Sequence, residues 1–298
     1  MMINLLAANI ALMWSNMLFR VGIVFGAALG IVCPLGAELG FWLSELTNGT
    51  VSLGLIAEKP ILDYYFYTWT IFLVFYFALF CSFYVGTEYS DGTLRNKVIV
   101  GHSRSEVYLS NFIANTVAGF VFYSAYLLLT ICIGFPMLGG FQIFKKGEVV
   151  VYVLCVYGIM AALASLYTLI GMLVSNKAIA IVICVCIALV LFLVPIFQTG
   201  NLQWEQYFPD DWNINGIDYA AGEVNPYYIG GIRRLLSLFF LDFLPGGPLV
   251  QFYNFSYLYN YGTHAYALHP FIILMGIVFF VSVPMLVGMR LFKRKELK

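Results

Sequence analysis

The chain has 298 residues, of which 62% are hydrophobic and 10% charged, with mean hydropathy +0.89 and no formal net charge. Soluble domains carry about 25% charged residues, so this composition excludes a fold bathed in water on all sides and makes the bilayer part of the solvent. Lipid admits only helix bundles and closed barrels. The apolar runs here are continuous over about twenty residues rather than alternating over about ten, so helices are expected.

Residues 3 to 19 precede Arg20 and contain no Lys or Arg. They read as a helix lying at the membrane interface or as an early part of the first span. The opening "MMINLLAANIALMW" lacks a basic n-region, so no cleavable signal peptide is expected. The first span is expected at about 20–37, followed by a polar loop at roughly 38–62. The second, "YYFYTWTIFLVFYFALFCSFYV", covers about 64–85. A dense polar segment follows at 86–106, and the third span covers about 107–134. A short loop with Lys145 and Lys146 leads to the fourth, about 148–174. The fifth covers about 178–197, and a loop over 198–268 separates it from the sixth, about 269–291, which ends in "RLFKRKELK". The expected fold class is an all-α polytopic membrane protein, one transmembrane domain over 1–298.

Six spans put both termini on one side. With the N-terminus inside, ten basic residues lie inside and five outside, where Lys59, Lys145, Lys146, Arg233 and Arg234 would sit. The positive-inside rule then predicts cytosolic termini, a cytosolic 86–106 segment and an external 198–268 loop, in a cytoplasmic membrane. In that loop Asp210, Asp211, Asp218 and Glu223 read as a solvated face, since their spacing is not that of a calcium loop. "IRRLLSLFFLDFLPGGPLVQFY" at 232–253 is too apolar for a free loop. It is expected to lie on the outer leaflet or dip into it, broken at Pro245-Gly246-Gly247, as an exit gate or a structural lid. A rival count makes 232–253 and 269–291 a hairpin of two spans, against which the basic C-terminal tail argues.

Ionisable residues at membrane depth mark ion or proton pathways, and no span carries one centrally, which counts against ion-coupled transport. No His-Glu-x-x-His pair, Gly-x-Ser-x-Gly elbow or Gly-x-x-x-x-Gly-Lys-Ser/Thr phosphate loop is present. The chain is therefore not expected to be an enzyme, and any work it does must draw energy from a partner. Cys33, Cys81, Cys132, Cys155, Cys184 and Cys186 all fall in or at the ends of apolar runs, where packing is the expected role and neither disulfides nor metal ligation is. Two sequons, at Asn48 and Asn254, are read as chance occurrences.

Two patterns bear on packing. Gly22, Gly26 and Gly30 line one face of the first span and permit close backbone approach, either within the chain or at a seam between two copies. Tyr65, Trp69, Phe72, Tyr76 and Phe80 recur at helical spacing in the second span, as a packing surface or the lining of a path for an amphipathic substrate.

The polar segment "GTEYSDGTLRNKVIVGHSRSEVYLSN", 86–111, is the informative stretch. Glu88 falls at interface depth, and Ser90 or Asp91 is expected to cap a short helix over "GTLRNKVIV". Leu94, Val98 and Gly101 would face one side, and Arg95, Asn96 and Lys97 the cytosol. Gly101 suits a helix stop, and Ser103 with Glu106 forms a capping box that starts the third span. On residues alone, an ordinary basic loop explains the segment as well as a platform built to transmit a push.

The run from Glu88 to Asn111 resembles the loop between spans two and three in permeases of the ABC type-2 transporter family, most of all a bacterial branch with the pattern GTxRNKxIxGHxRxxxYxSN. The six spans, the long loop before the last one and "DFLPGG" at 242–247 also resemble that branch. The resemblance implies a type-2 exporter fold and a membrane subunit that moves an amphipathic peptide, antibiotic or lipid. It implies a second permease, identical or homologous, and cytosolic ATPase subunits that bind ATP and magnesium, so this chain needs no cofactor of its own. It also implies that the segment is the coupling helix, carried by Glu88, Gly92, Thr93, Leu94, Arg95, Asn96, Lys97, Gly101, Arg104, Tyr108 and Asn111, with Asp91 at the helix start. The other expectation is a non-transporting scaffold or sensor that recruits a cytosolic partner through the same loop. Membrane lipid is an expected partner and nucleic acid is not.

Overall fold

A computed structural model of the chain describes residues 2–46, 61–66, 69–142, 145–202, 204–208, 210–214, 216–251 and 269–295. Among these, helices dominate. α1 is Met2–Ser15, α2 Met17–Leu46, α3 Leu62–Tyr65, α4 Thr70–Ser90, α5 Thr93–Ile99, α6 Arg104–Leu138, α7 Lys146–Leu173 and α8 Lys177–Leu202. A two-stranded hairpin follows, β1 Trp212–Ile214 and β2 Ile217–Tyr219, paired antiparallel. Then come α9, Gly231–Phe243, a helical stretch over 246–251 (α10), and α11, Pro270–Arg294. Six of these helices, α2, α4, α6, α7, α8 and α11, are long and apolar enough to cross a membrane. The chain is a multi-pass helical membrane protein.

The boundaries depart from the sequence expectation where local geometry intervenes. α1 is a separate helix, because Asn16 breaks it and its side-chain oxygen accepts the Leu18 N–H at 2.8 Å to cap α2. The second span begins at Thr70 rather than 64, and α3 stands apart from it. It also runs on to Ser90, so Glu88 lies inside a helix rather than in a loop. The chain is not purely α, owing to the small hairpin. Asn48 and Asn254 lie outside the described residues.

α4 is the central span, with 61% of its apolar window buried, against 28% for α8 and 22% for α11, which turn most of their surface outward. Its Phe77 and Phe80 meet Phe122 of α6 edge to face, and Phe77 meets Tyr167 of α7 in the same way, as an aromatic core. Within the expected aromatic stripe, Phe80 is fully enclosed and the Tyr76 hydroxyl donates to Leu18 O, so both are packing residues. Phe72 is exposed, Trp69 is half-buried against its ring, and the Tyr65 side chain lies outside the described residues.

The three glycines of α2 face α6 of the same chain. A Cβ on Gly26 would stand 2.6 Å from Phe122 O, and one on Gly30 2.5 Å from Tyr126 O, too close for any side chain. Gly22 meets the Phe122 ring just as tightly. This face is filled from within and cannot be a seam between copies. α7 and α11 pair along their length, with Gly158 against Ile277 and Ser165 Oγ donating to Val281 O at 2.9 Å.

The alternation of helices gathers Arg95, Lys97, Arg104, Lys177 and Lys295 at one end of the bundle, called here the basic end, while Arg20 at the start of α2 lies further along, near the level of Phe80 and Phe122. The hairpin, α9 and α10 occupy the far end. There the chain turns at Leu244–Pro245, and Gly246 and Gly247 begin α10 rather than form the break. A Cβ on Gly246 would lie 1.9 Å from Leu191 O, and one on Gly276 2.2 Å from Phe243 O. Leu191 is nine residues below Gly200, where the α8 span ends, so the corner reaches about 14 Å into the bundle at 1.5 Å per residue. The corner from Leu241 to Gln251 is thus enclosed by protein, as non-spanning backbone at depth must be, whereas α9 leaves Ile232, Leu235, Leu236 and Phe240 exposed.

Candidate functional site

The site is the corner between α4 and α6. α4 closes with Asp91 at its C-cap, and Gly92 turns the chain in the left-handed conformation at φ 69°. No side chain caps α5, contrary to expectation: Ser90 Oγ bonds back to Gly86 O and Thr87 O, and Asp91 is exposed. Glycine makes the turn instead, since a Cβ is disfavoured at that φ. α5 ends in a Schellman motif, with Gly101 N–H donating to Val98 O at 3.1 Å and His102 N–H to Lys97 O at 3.2 Å, and Gly101 at φ 103°. The Ser103–Glu106 capping box is present and opens α6.

α5 thus has a fixed orientation. Leu94 is buried and Val98 half-buried beneath it. Arg95 and Asn96 face out, joined by two apolar side chains, Ile99 and Val100, that are 69% and 74% exposed. Thr93 and Gly92 are half-buried, and Gly101 is exposed. Lys97 is the correction. It does not face solvent with its neighbours; it is 9% exposed and turns inward.

Lys97 Nζ donates to Glu88 Oε1 and, at 2.7 Å, to Asn9 Oδ1. Glu88 is 5% exposed, and its second oxygen accepts from Asn111 Nδ2 at 2.8 Å. Asn9 Nδ2 donates to Ser110 Oγ at 2.8 Å and Asn111 Oδ1 at 2.9 Å. The Tyr84 hydroxyl donates to Asn9 O at 2.9 Å, and Asn111 Nδ2 lies 3.6 Å from Met172 Sδ. The node joins α1, α4, α5, α6 and α7. Both carboxylate oxygens are occupied, which is the condition under which a buried charge is tolerable. Its physical effect is to hold α5 rigidly to the bundle while leaving the outer face of α5 free.

The remaining expected residues are placed around this node. Tyr108 is buried, its hydroxyl 3.4 Å from Pro284 O of α11. Arg104 donates Nη1 to Phe292 O at 3.2 Å and to Lys295 O, at the end of α11. Glu88, Lys97 and Asn111 are brought together; Arg95 and Asn96 stand apart from them on the surface. Sequence reasoning missed Asn9, Tyr84, Ser110 and Met172. Asn9 had a local signal, a lone amide amid "LLAANIALM", since an isolated polar group in an apolar helix needs a partner.

Two further buried carboxylates were also missed: Asp63, 2% exposed, which accepts from the Gln142 N–H at 2.8 Å, and Asp242 at the far end. Asp242, 4% exposed, accepts from Gln251 Nε2 at 2.7 Å and from His269 N at 3.2 Å, with His269 Nδ1 at 2.9 Å. It therefore caps the start of α11 from another element. α2 runs past the expected loop start at 38, so Glu38 lies within its candidate span, while Asp242 is buried at the corner between α9 and α10.

Comparison with known proteins identifies no relative: no family model, no curated protein and no solved structure matches the chain.

Proposed function

We propose that this chain is the membrane-spanning permease subunit of an ATP-driven exporter, with α5 as the surface on which a separate ATPase subunit docks. The carrying observation is the two-faced character of α5. Its inner face is locked by the Lys97–Glu88 pair into a node shared by five helices. Its outer face presents Arg95, Asn96, Ile99 and Val100, a basic and apolar patch suited to a protein partner. A clamped platform with an apolar outer face suits transmission of force; a solvated loop has no need of either. The likeness of 88–111 to the coupling loop of type-2 permeases supports the same reading. On it the basic end is cytosolic, as the positive-inside rule favours, and the α9–α10 segment is on the outer side. ATP and magnesium belong to the partner, and a second permease, identical or homologous, completes the assembly. The cargo class is amphipathic: a peptide, an antibiotic or a lipid.

The test is co-purification from native membranes in mild detergent, comparing wild type with Arg95→Glu/Ile99→Asp. Lys97 is left intact, because changing it would disturb the fold. Recovery of an ATPase with wild type and its loss with the double variant is the expected result. If no ATPase accompanies either chain, the exporter reading fails and a scaffold that recruits some other partner takes its place.

A further inference from the structure

We propose that Lys295 fastens the basic end of α11 to α4 and α7 beside the node that clamps α5, and that α11, fastened at both ends, carries a displacement of that node to the α9–α10 corner at the far end. Its purpose rests on the coupling reading above; its geometry does not.

At the basic end, Lys295 Nζ donates to Leu173 O at 2.9 Å and Met172 O at 3.1 Å, the closing carbonyls of α7. A cation at a helix C-terminus is held there by both hydrogen bonds and the helix dipole. The same ammonium donates to the Tyr89 hydroxyl at 2.7 Å, and Tyr89 in the last turn of α4 donates on to Met172 O. Met172 is the residue whose sulfur meets Asn111 of the buried node. Arg104, which opens α6 just beyond α5, reaches back to Phe292 O and Lys295 O. The end of α11 is therefore gripped from the α4, α6 and α7 sides at once. Any shift of α5 that moves Glu88 or Asn111 acts on this grip.

At the far end, the first residues of α11 are gripped again. His269 meets Asp242 through its backbone N–H and its ring, and Gly276 lies directly against Phe243 O. Between the two grips, α11 spans 25 residues, about 37 Å. Pro284 interrupts its hydrogen-bond ladder near the middle. At that point Tyr108 of α6 braces it, through its hydroxyl to Pro284 O and by close contact with Gly288. Packed helices shift as units rather than deform continuously. A movement of the basic end of α11 is thus delivered to His269, against a corner that seals Leu241, Leu249 and Val250 from solvent.

The experiment reads that seal in the full chain alone, reconstituted in lipid nanodiscs, with its own cysteines replaced and a single reporter, Leu249→Cys. Maleimide labelling should be slow in this background. Lys295→Ala should raise the rate roughly tenfold, the change expected when a charged hydrogen bond leaves the closed state. Lys295→Arg should restore slow labelling, and Lys293→Ala, at an exposed lysine, should leave it unchanged. His269→Ala, acting directly on the far grip, should also raise the rate. If His269→Ala raises it and Lys295→Ala does not, α11 carries nothing and the proposal is overturned; it is equally overturned if neither does. Should Lys295→Ala fail to fold, Tyr89→Phe removes one of the same contacts and should raise labelling by a smaller factor; no change would count against the proposal. No ATPase enters this measurement, so its failure is distinct from failure of the docking reading.

Discussion

Among the described residues Asp63, Glu88 and Asp242 are buried carboxylates, and the last two, at opposite ends of the bundle and almost equally enclosed, are held differently. Glu88 is paired with the ammonium of Lys97 and an Asn111 amide, inside a network that joins five helices. Asp242 is held by the Gln251 amide and by His269, whose ring is half exposed. The first is an ion pair with both charges out of water; neither partner can leave without stranding the other. The second is a carboxylate satisfied mainly by neutral donors at the α9–α10 corner. The difference teaches that separating the partners of Glu88 strands two charges, whereas separating those of Asp242 leaves neutral amide donors behind and costs less.

The sharpest way to break this comparison is Lys97→Met, which leaves Glu88 buried and unpaired. Unfolding of the purified chain should show a loss of about 3–5 kcal/mol. Glu88→Gln/Lys97→Met should recover most of that loss, since the double change removes both charges. A Lys97→Met variant as stable as Arg95→Met would mean that Lys97 is not enclosed, and the contrast between the two ends would vanish. Asp242→Asn should cost less, about 1–3 kcal/mol, because the amide still offers an acceptor to the start of α11. A loss as large as that of Lys97→Met would show the far end to be clamped as hard as the basic end.

The smallest effect concerns pH. Burial pushes the Lys295 ammonium down to about 8, against about 10.4 for a free lysine. Between those values the unfolded chain binds more protons than the folded one, so this group's contribution to stability rises with pH across that window. The wild type minus Lys295→Met difference in unfolding free energy should follow that slope and be flat below about pH 7. A falling difference would mean that the α7 carbonyls hold the ammonium charged more strongly than burial opposes it.

Much of the architecture was legible in the chain itself. Six apolar runs predicted six long helices, the "SRSE" box predicted the start of α6, and Gly101 the end of α5. These are signals carried by neighbours in sequence. The same kind of reading went wrong at Lys97, because side chains at 95, 96 and 97 were assigned together to one face. On a seven-residue helix, Lys97 lies three residues from Leu94 and shares its inward side, and its long stem lets the ammonium reach Glu88. Ser90 and Asp91 suggested a cap that Gly92 made unnecessary. Asp242 was hidden because its stretch reads as an apolar segment on or in the outer leaflet, and only the packing of the corner gives the carboxylate its burial and its partners.

What the sequence by itself determined is where helices form and that lipid surrounds them, since hydropathy and capping act over a few residues. Which polar groups meet was decided only by the tertiary structure. Asn9 and Asn111 are 102 positions apart, and Arg104 lies 188 from Phe292. No local pattern records such a pairing. It exists because helix packing takes Asn9 and Asn111 out of water and brings each within hydrogen-bond reach of the other.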